Sequence, residues 1–380
     1  MKFALTETIK TPGRHCFFGY YDRAQSIDGD NFICIVTQDE YAEGAVKIYN
    51  RQSKKFKTVL ETSAISFQLG NLTSWITYDK IACHIKRDNK ISAVVIDVNS
   101  GDIIREYDRS IYTVSYNQLA LMFHVENAGR DRPAYGLGVG ASEYRGVTIR
   151  NLFNDTVIAE LSEELIDNTL GPEHGFYPEH GVFLSETEVV LLLRTSSIQT
   201  GCKREILCIY NFNSETLSQI SELKKISHFN CIDGNLIAFG SKSKIASFNY
   251  IKSIAKNIPL LDKLRRNKTF RDSVISEQYW IKGHKWISVD FRDDGHPTPF
   301  KNGFIFDTYE DENNNRHLYF YDFSEDLLEK IDTIPSDFRT DSTPQRCDLH
   351  PRAFNNGFTV DIKIYDYREC LIYEAQNSKY

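Results

Sequence analysis

Short apolar runs alternate with polar gaps along this chain, and the alternation follows one recurring phrase. A strand-like run is followed by a polar gap, a second run ending in an aromatic residue and Asp or Asn, and then a third run. The phrase occupies 31–37, 46–50 and 57–60, and again 80–85, 93–97 and 102–107. Later copies fall at 188–193 with 206–210 and at 303–307 with 317–322. A truncated copy closes the chain at 357–361 and 370–374, and weaker ones lie at 119–123 and 235–239. Seven starts across 380 residues give a period of about 50, the size of a four-stranded propeller blade. One blade cannot bury both faces alone, whereas a ring of blades does so and leaves only short edges. The pattern therefore predicts an all-β fold: one seven-bladed β-propeller domain over residues 1–380. The last copy is short of a strand, so an N-terminal strand is expected to complete it and close the ring. The alternatives are a β-sandwich with insertions or two separate β domains.

Two segments depart from the phrase. Residues 162–168 (Ser-Glu-Glu-Leu-Ile-Asp-Asn) predict a short capped helix whose acidic first turn suits the helix dipole. Residues 251–272 have helical apolar spacing interrupted by Pro259 and predict a short helical insertion between blades. Its basic run, Lys263, Arg265, Arg266, Lys268 and Arg271, reads as a solvated helix face or, more sharply, as a docking site for an anionic polymer or partner.

Composition narrows the picture. Hydrophobic residues at 41% supply a core, and 24 Phe and 21 Tyr against 2 Met favour strands. A formal net charge of −7 disfavours nucleic acid as a partner, because no excess of cations is there to release phosphate counterions. The first ten residues hold no uninterrupted apolar stretch of the kind a secretory signal needs, and no run of about 18 apolar residues suggests a membrane span. The eight cysteines form no C-x-x-C pair, and several, such as Cys34 and Cys208, sit inside apolar runs. A reducing cytoplasm is the expected compartment.

The candidate chemistry lies in polar segments beside the predicted strands. Asp294-Gly-His296-Pro and Gln345-Arg-Cys-Asp348-Leu-His350-Pro-Arg352 each precede a predicted blade strand, so His296 and His350 are expected to face each other around the central channel. Imidazoles with carboxylate or amide partners suit Mn, Fe, Ni or Zn, with Asp294, Asp348 and Gln345 as nearby oxygen donors. The plainer reading makes both histidines turn residues that brace the inner strand. His180 and His228 share the same blade position, and Tyr177 and Arg194 lie close to His180 in the chain. A His, Tyr and Arg set is what proton abstraction beside a carboxylate requires: a base, an acid for the leaving oxygen and a cation for the enolate-like state. Arg14-His15-Cys-Phe-Phe-Gly-Tyr20-Tyr21-Asp22 and Arg130-Asp-Arg132-Pro-Ala-Tyr135 suit a sugar-binding rim, in which aromatic rings pack on pyranose faces and Arg grips carboxylates. Phe17, Phe18 and Tyr20 read equally well as core between blades.

Together these motifs resemble a family of bacterial propeller proteins similar to the oligogalacturonate lyases and other seven-bladed polysaccharide lyases. The resemblance rests on 15–22, 132–136, Ser227-His228, Asp294-Gly-His296-Pro with Phe306-Asp-Thr-Tyr309, and Arg346-Cys-Asp-Leu-His-Pro-Arg352. It spans most of the chain, and the last two motifs are the specific ones. By that match His296 and His350, with His228 as a further candidate, would hold a divalent metal, usually manganese in the family, that binds the uronate carboxylate. The lyases' His-Pro-His is here Asp348-Leu-His350-Pro-Arg352, so one ligand is changed or replaced by Asp348 or Arg352. Glu179-His180-Gly likewise stands where the family has an Asn-His segment.

The leading expectation is a metal-assisted lyase that cleaves an anionic, uronic-acid-containing oligosaccharide or polysaccharide by β-elimination. Metal or Arg194 and Arg352 would neutralise the carboxylate, His180 or His228 would take the C5 proton, and Tyr177 or Tyr135 would protonate the leaving oxygen. Arg132, Arg352, Tyr20 and Tyr21 would contact the sugar. The rival expectations are a cytoplasmic enzyme of surface-polysaccharide biosynthesis or modification, and a non-catalytic propeller that binds protein or glycan.

Overall fold

A computed structural model describes residues 1–39, 42–87, 90–115, 117–123, 146–172, 175–195, 205–220, 226–232, 235–241, 278–282, 285–288, 295–311, 313–336, 347–364 and 366–376. The strands over these residues pair into seven four-stranded antiparallel sheets, and the fold is an all-β propeller with one short helix among the described residues. In six sheets every strand has described side chains. In the sheet that starts with Ile226–Ile232, the outer strands Gln278–Lys282 and Lys285–Ser288 are described by backbone alone. Blades with described side chains on every strand thus number six rather than the expected seven, and backbone pairing adds the remaining four-stranded sheet. The expected insertion at 251–272 lies outside the described residues.

Several sheets begin with a short, mostly buried strand and end in a more exposed one. His15–Phe17, Ile111–Val114 and Pro297–Phe300 are almost wholly buried, whereas Ile103–Tyr107, Thr156–Leu161 and Leu327–Pro335 expose most of their residues. The first strands of successive sheets touch one another, as Ser74–Thr77 does with Ile111–Val114, and Pro297–Phe300 with both Ile226–Ile232 and Arg352–Phe354. They therefore line the axis. The apolar core is divided among the faces between blades: Phe17, Ile33 and Ile35 pack against Trp75, Ile81 and Val94, and Phe239 packs against Phe304 and Phe306. The Phe and Tyr excess is spent largely in these faces, and Phe17 and Phe18 belong to one of them.

The N-terminal strand closes the last sheet, as expected: Phe3–Ile9 runs antiparallel to Tyr367–Ala375. Arg51 of the first blade bonds Glu374 through two nitrogens at 2.7 and 2.8 Å and Glu7 through its Nε at 3.1 Å, tying both chain ends to that blade. On the axial side, buried Asp361 of the closing sheet accepts the backbone N–H of Phe18 at 3.1 Å and of Gly19 at 2.9 Å. The predicted capped helix is Glu163–Leu170, with the Ser162 hydroxyl accepting the N–H of Leu165. No helix of the described residues is long and apolar enough to cross a membrane.

Candidate metal centre

Four of the predicted histidines meet at the axis. The ring centroids of His228 and His296 lie 4.1 Å apart and those of His296 and His350 4.3 Å apart. His180 is reached through Tyr20, which stacks on it at 5.2 Å and meets His350 edge-on at 5.1 Å. Their placement differs from the expectation of one shared position. His296 and His350 precede the first strands Pro297–Phe300 and Arg352–Phe354, short elements that the repeat pattern missed. His180 and His228 lie inside their first strands, each just past a shift in register, between Pro178 and His180 and between Ile226 and His228. A β-bulge at that point re-aims the following side chain, which brings all four imidazoles into one group.

Asp307, at the end of the strand Gly303–Asp307, organises the centre. Fully buried, it accepts His296 Nδ1–H at 2.8 Å and the backbone N–H groups of His296 at 2.8 Å and His350 at 3.1 Å. Gly295 makes this approach possible, because a Cβ there would lie 1.8 Å from the Asp307 carbonyl oxygen. His350 holds a left-handed backbone conformation (φ 47°) before Pro351, costly for a non-glycine residue. The Asp307 bond and a 2.7 Å bond from its Nδ1–H to the Gly19 carbonyl hold it there. Gly19 sits at φ 119° with its Cα so near Gly70 that a Cβ would come within 2.4 Å of the Gly70 nitrogen.

With both Nδ1 atoms so committed, the Nε2 atoms of His296 and His350 are buried without a hydrogen-bond partner. One ligand atom from each of His296, Asp348 and His350 lies within 4.8 Å of the others. Two imidazoles oriented through their far nitrogens and one carboxylate are a donor set that could hold a divalent cation. Burial, reinforced by neighbouring His296, pushes the His350 imidazole well below its ordinary range and keeps it in the neutral, ligating form. Asp348 is held by Arg316 at 2.6 Å and Gln68 at 3.3 Å, and Arg316 is itself bonded to Glu310 at 2.7 Å.

The remaining predicted residues are distributed unevenly. Arg352, expected on the substrate, is buried in a bidentate pair with Asp361 (2.8 and 3.0 Å) and also bonds the Gly19 carbonyl. The Tyr21 hydroxyl donates to the Phe229 carbonyl and accepts its N–H, so it fixes the strand Ile226–Ile232 rather than offering a free polar group. Arg194, half-buried, is flanked by Glu179 and Glu205, the latter at 3.2 Å, and is the cross-strand neighbour of Tyr177. Arg132, Tyr135, Asp294 and Gln345 lie outside the described residues. The sequence reading did not single out Asp307, Tyr112, Arg316 or Gln68, and it quoted Asp22 and Tyr309 without giving them a role. An aspartate four residues after the glycine that opens the second strand of a blade is a usable signal, since Asp307 follows Gly303 and Asp361 follows Gly357 at that spacing.

No family model matches the chain, and no curated protein does. Among solved structures it is similar to an oligogalacturonate lyase from Vibrio parahaemolyticus, with TM-score 0.60, 10% identity and coverage of 100% of this chain and 98% of that one. It is similar to the β-propeller domain of the Trilobed protease from Pyrococcus furiosus at TM-score 0.54 and 12% identity, covering 94% of each chain. A third similarity, to the acylaminoacyl peptidase of Pyrococcus horikoshii at TM-score 0.52 and 10% identity, covers 92% of this chain and 49% of that one. Two of these are peptidases and one is a lyase, so the likeness shows what they share: a β-propeller.

Proposed function

We propose that this chain is a single-domain, closed seven-bladed propeller acting as a metal-assisted lyase on uronic-acid-containing glycans. The observation that carries the reading is the pair of buried, partnerless Nε2 atoms of His296 and His350 beside Asp348. Burying imidazoles with an unpaired nitrogen costs free energy, and a cation removes that cost. The residues suit manganese, with zinc, nickel or iron as competitors, and a bound ion would neutralise the uronate carboxylate and so acidify the C5 proton. The groups that handle protons, His180, Tyr20 and His228, stand around that centre. His228 and His180 are half-buried, so the open side of the cluster lies there.

Arg352 leaves the substrate list, because its guanidinium is consumed by Asp361 and Gly19. Arg194 remains as the cation for the sugar acid, although Glu179 and Glu205 already share its charge. The test is incubation of metal-loaded protein with a panel of uronic-acid oligosaccharides, read by the ultraviolet absorbance of the unsaturated uronate. Product formation that disappears in His296→Ala supports the proposal. No product across the panel with manganese, zinc, nickel and iron supplied rejects it.

A further inference from the structure

Four residues form a continuous hydrogen-bonded chain that ends at this centre. The Tyr112 hydroxyl donates to Asp22 Oδ2 at 2.6 Å, His180 Nδ1 is 2.7 Å from the same hydroxyl, and His180 Nε2 is 3.3 Å from the Tyr20 hydroxyl. Tyr112 has a single proton, which goes to Asp22, so its oxygen can only accept from His180. A neutral His180 then carries its proton on Nδ1, and Nε2 is a lone pair that accepts from Tyr20. Every member is thereby assigned. The two adjacent tyrosines also separate: Tyr21 is locked to the Phe229 backbone, whereas Tyr20 is bonded to an imidazole and borders His350.

We propose that Tyr20 is the group that exchanges a proton with the substrate, and that His180, Tyr112 and Asp22 are a relay that stores that proton. This deepens the lyase reading and rests on it for the identity of the substrate. The C5–H bond breaks and its electron pair forms the C4=C5 double bond, while the C4–O4 bond breaks with its pair on O4. The Tyr20 oxygen takes the C5 proton as its own proton passes to His180 Nε2. The Nδ1 proton moves to Tyr112, and the Tyr112 proton moves to Asp22. Reversal of the same steps delivers one proton from Tyr20 to O4, so nothing beyond substrate and relay is consumed. Asp22 suits the terminal position: burial raises its carboxyl above the usual range, although Arg23 and Tyr112 oppose the rise. Arg23, whose guanidinium lies over the Tyr112 ring at 5.0 Å, forms an ion pair with Asp22 at 3.1 Å and donates to the Tyr112 carbonyl at 2.8 Å, which holds the far end in place.

The experiment uses the full chain labelled with ¹⁵N-histidine, as wild type, Tyr112→Phe and Tyr20→Phe, with the His180 signals identified by their loss in His180→Gln. Both phenylalanine variants keep the buried ring, and thermal midpoints confirm folding. The wild type is expected to show His180 with its proton on Nδ1, and Tyr112→Phe to abolish that single tautomer. On a turned-over substrate, Tyr20→Phe is expected to lower kcat by about 100-fold or more with KM within about twofold. A proton on Nε2 in the wild type, or full kcat in Tyr20→Phe, overturns the proposal. An Nδ1–H tautomer without turnover of any uronic-acid glycan supports the relay and counts against the lyase reading alone.

Discussion

Asp307 and His296 are joined twice, through the imidazole Nδ1–H and the backbone N–H of the same residue, both at 2.8 Å. The carboxylate thereby sets the tautomer and the ring orientation together, and through the N–H of His350 it holds the backbone of the second histidine as well. Asp307→Asn keeps the shape but replaces an acceptor oxygen by a donor. It is expected to weaken divalent-metal binding by about 10- to 100-fold, the usual effect of losing a carboxylate that orients a ligating histidine. Isothermal titration with manganese reads this, and an unchanged affinity in the variant would show that Asp307 serves only the backbone.

Gly295→Ala tests the same approach from the other side. The added methyl would fall on the Asp307 carbonyl at 1.8 Å, contact that only backbone movement can relieve. Destabilisation of about 1–3 kcal/mol is expected, with metal affinity falling alongside it. Urea unfolding with and without manganese separates the two effects, since a variant that shifts both curves equally has lost stability alone.

Asp361→Ala should be the more damaging change, for a different reason. It leaves Arg352 buried without its carboxylate and removes the acceptor of the Phe18 and Gly19 N–H groups at the seam of the ring. A loss of about 3–5 kcal/mol is expected. The double variant Arg352→Met/Asp361→Leu should recover part of it, because no lone buried charge then remains. A single variant with an unaltered thermal midpoint would contradict this account of ring closure.

Acid should destabilise the fold through His84. This side chain is fully buried, donates from Nδ1 to the Asn71 carbonyl at 2.9 Å, and has its pKa pushed by burial down to about 4. The unfolded chain, with the ordinary value of 6.5, binds the proton first, so between these values unfolding takes up protons and stability falls as pH falls. The contribution is whole above pH 6.5 and about 2 kcal/mol of it is lost by pH 5. His84→Gln should flatten that part of the stability curve measured by urea midpoints. A curve as steep as the wild type's would place the acid sensitivity elsewhere.

The architecture was legible because strand alternation survives without knowledge of partners: the outer three strands of most blades were visible as apolar runs. The first strands were not. His15–Phe17, Pro297–Phe300 and Arg352–Phe354 are three or four residues long, carry His, Pro or Arg, and owe their pairing to the axis rather than to local propensity. The convergence of His296 with His350 could be anticipated from the repeat, whereas the roles of Tyr112 and Arg316 could not. They lie on strands whose sequence says strand and nothing more, and their roles come from neighbours contributed by other blades. Arg352 was expected on the substrate, and spacing shows where its guanidinium is but not that Asp361 lies opposite it.

The central claim is that His296, Asp348 and His350 hold a divalent ion, and the most direct measurement is the metal stoichiometry of chelator-stripped protein titrated with manganese. One ion is expected per chain in the wild type, and none in His296→Ala or His350→Ala when both variants keep the wild-type thermal midpoint of the stripped protein. Wild-type protein that binds no manganese, zinc, nickel or iron, or variants that bind as the wild type does, would contradict it.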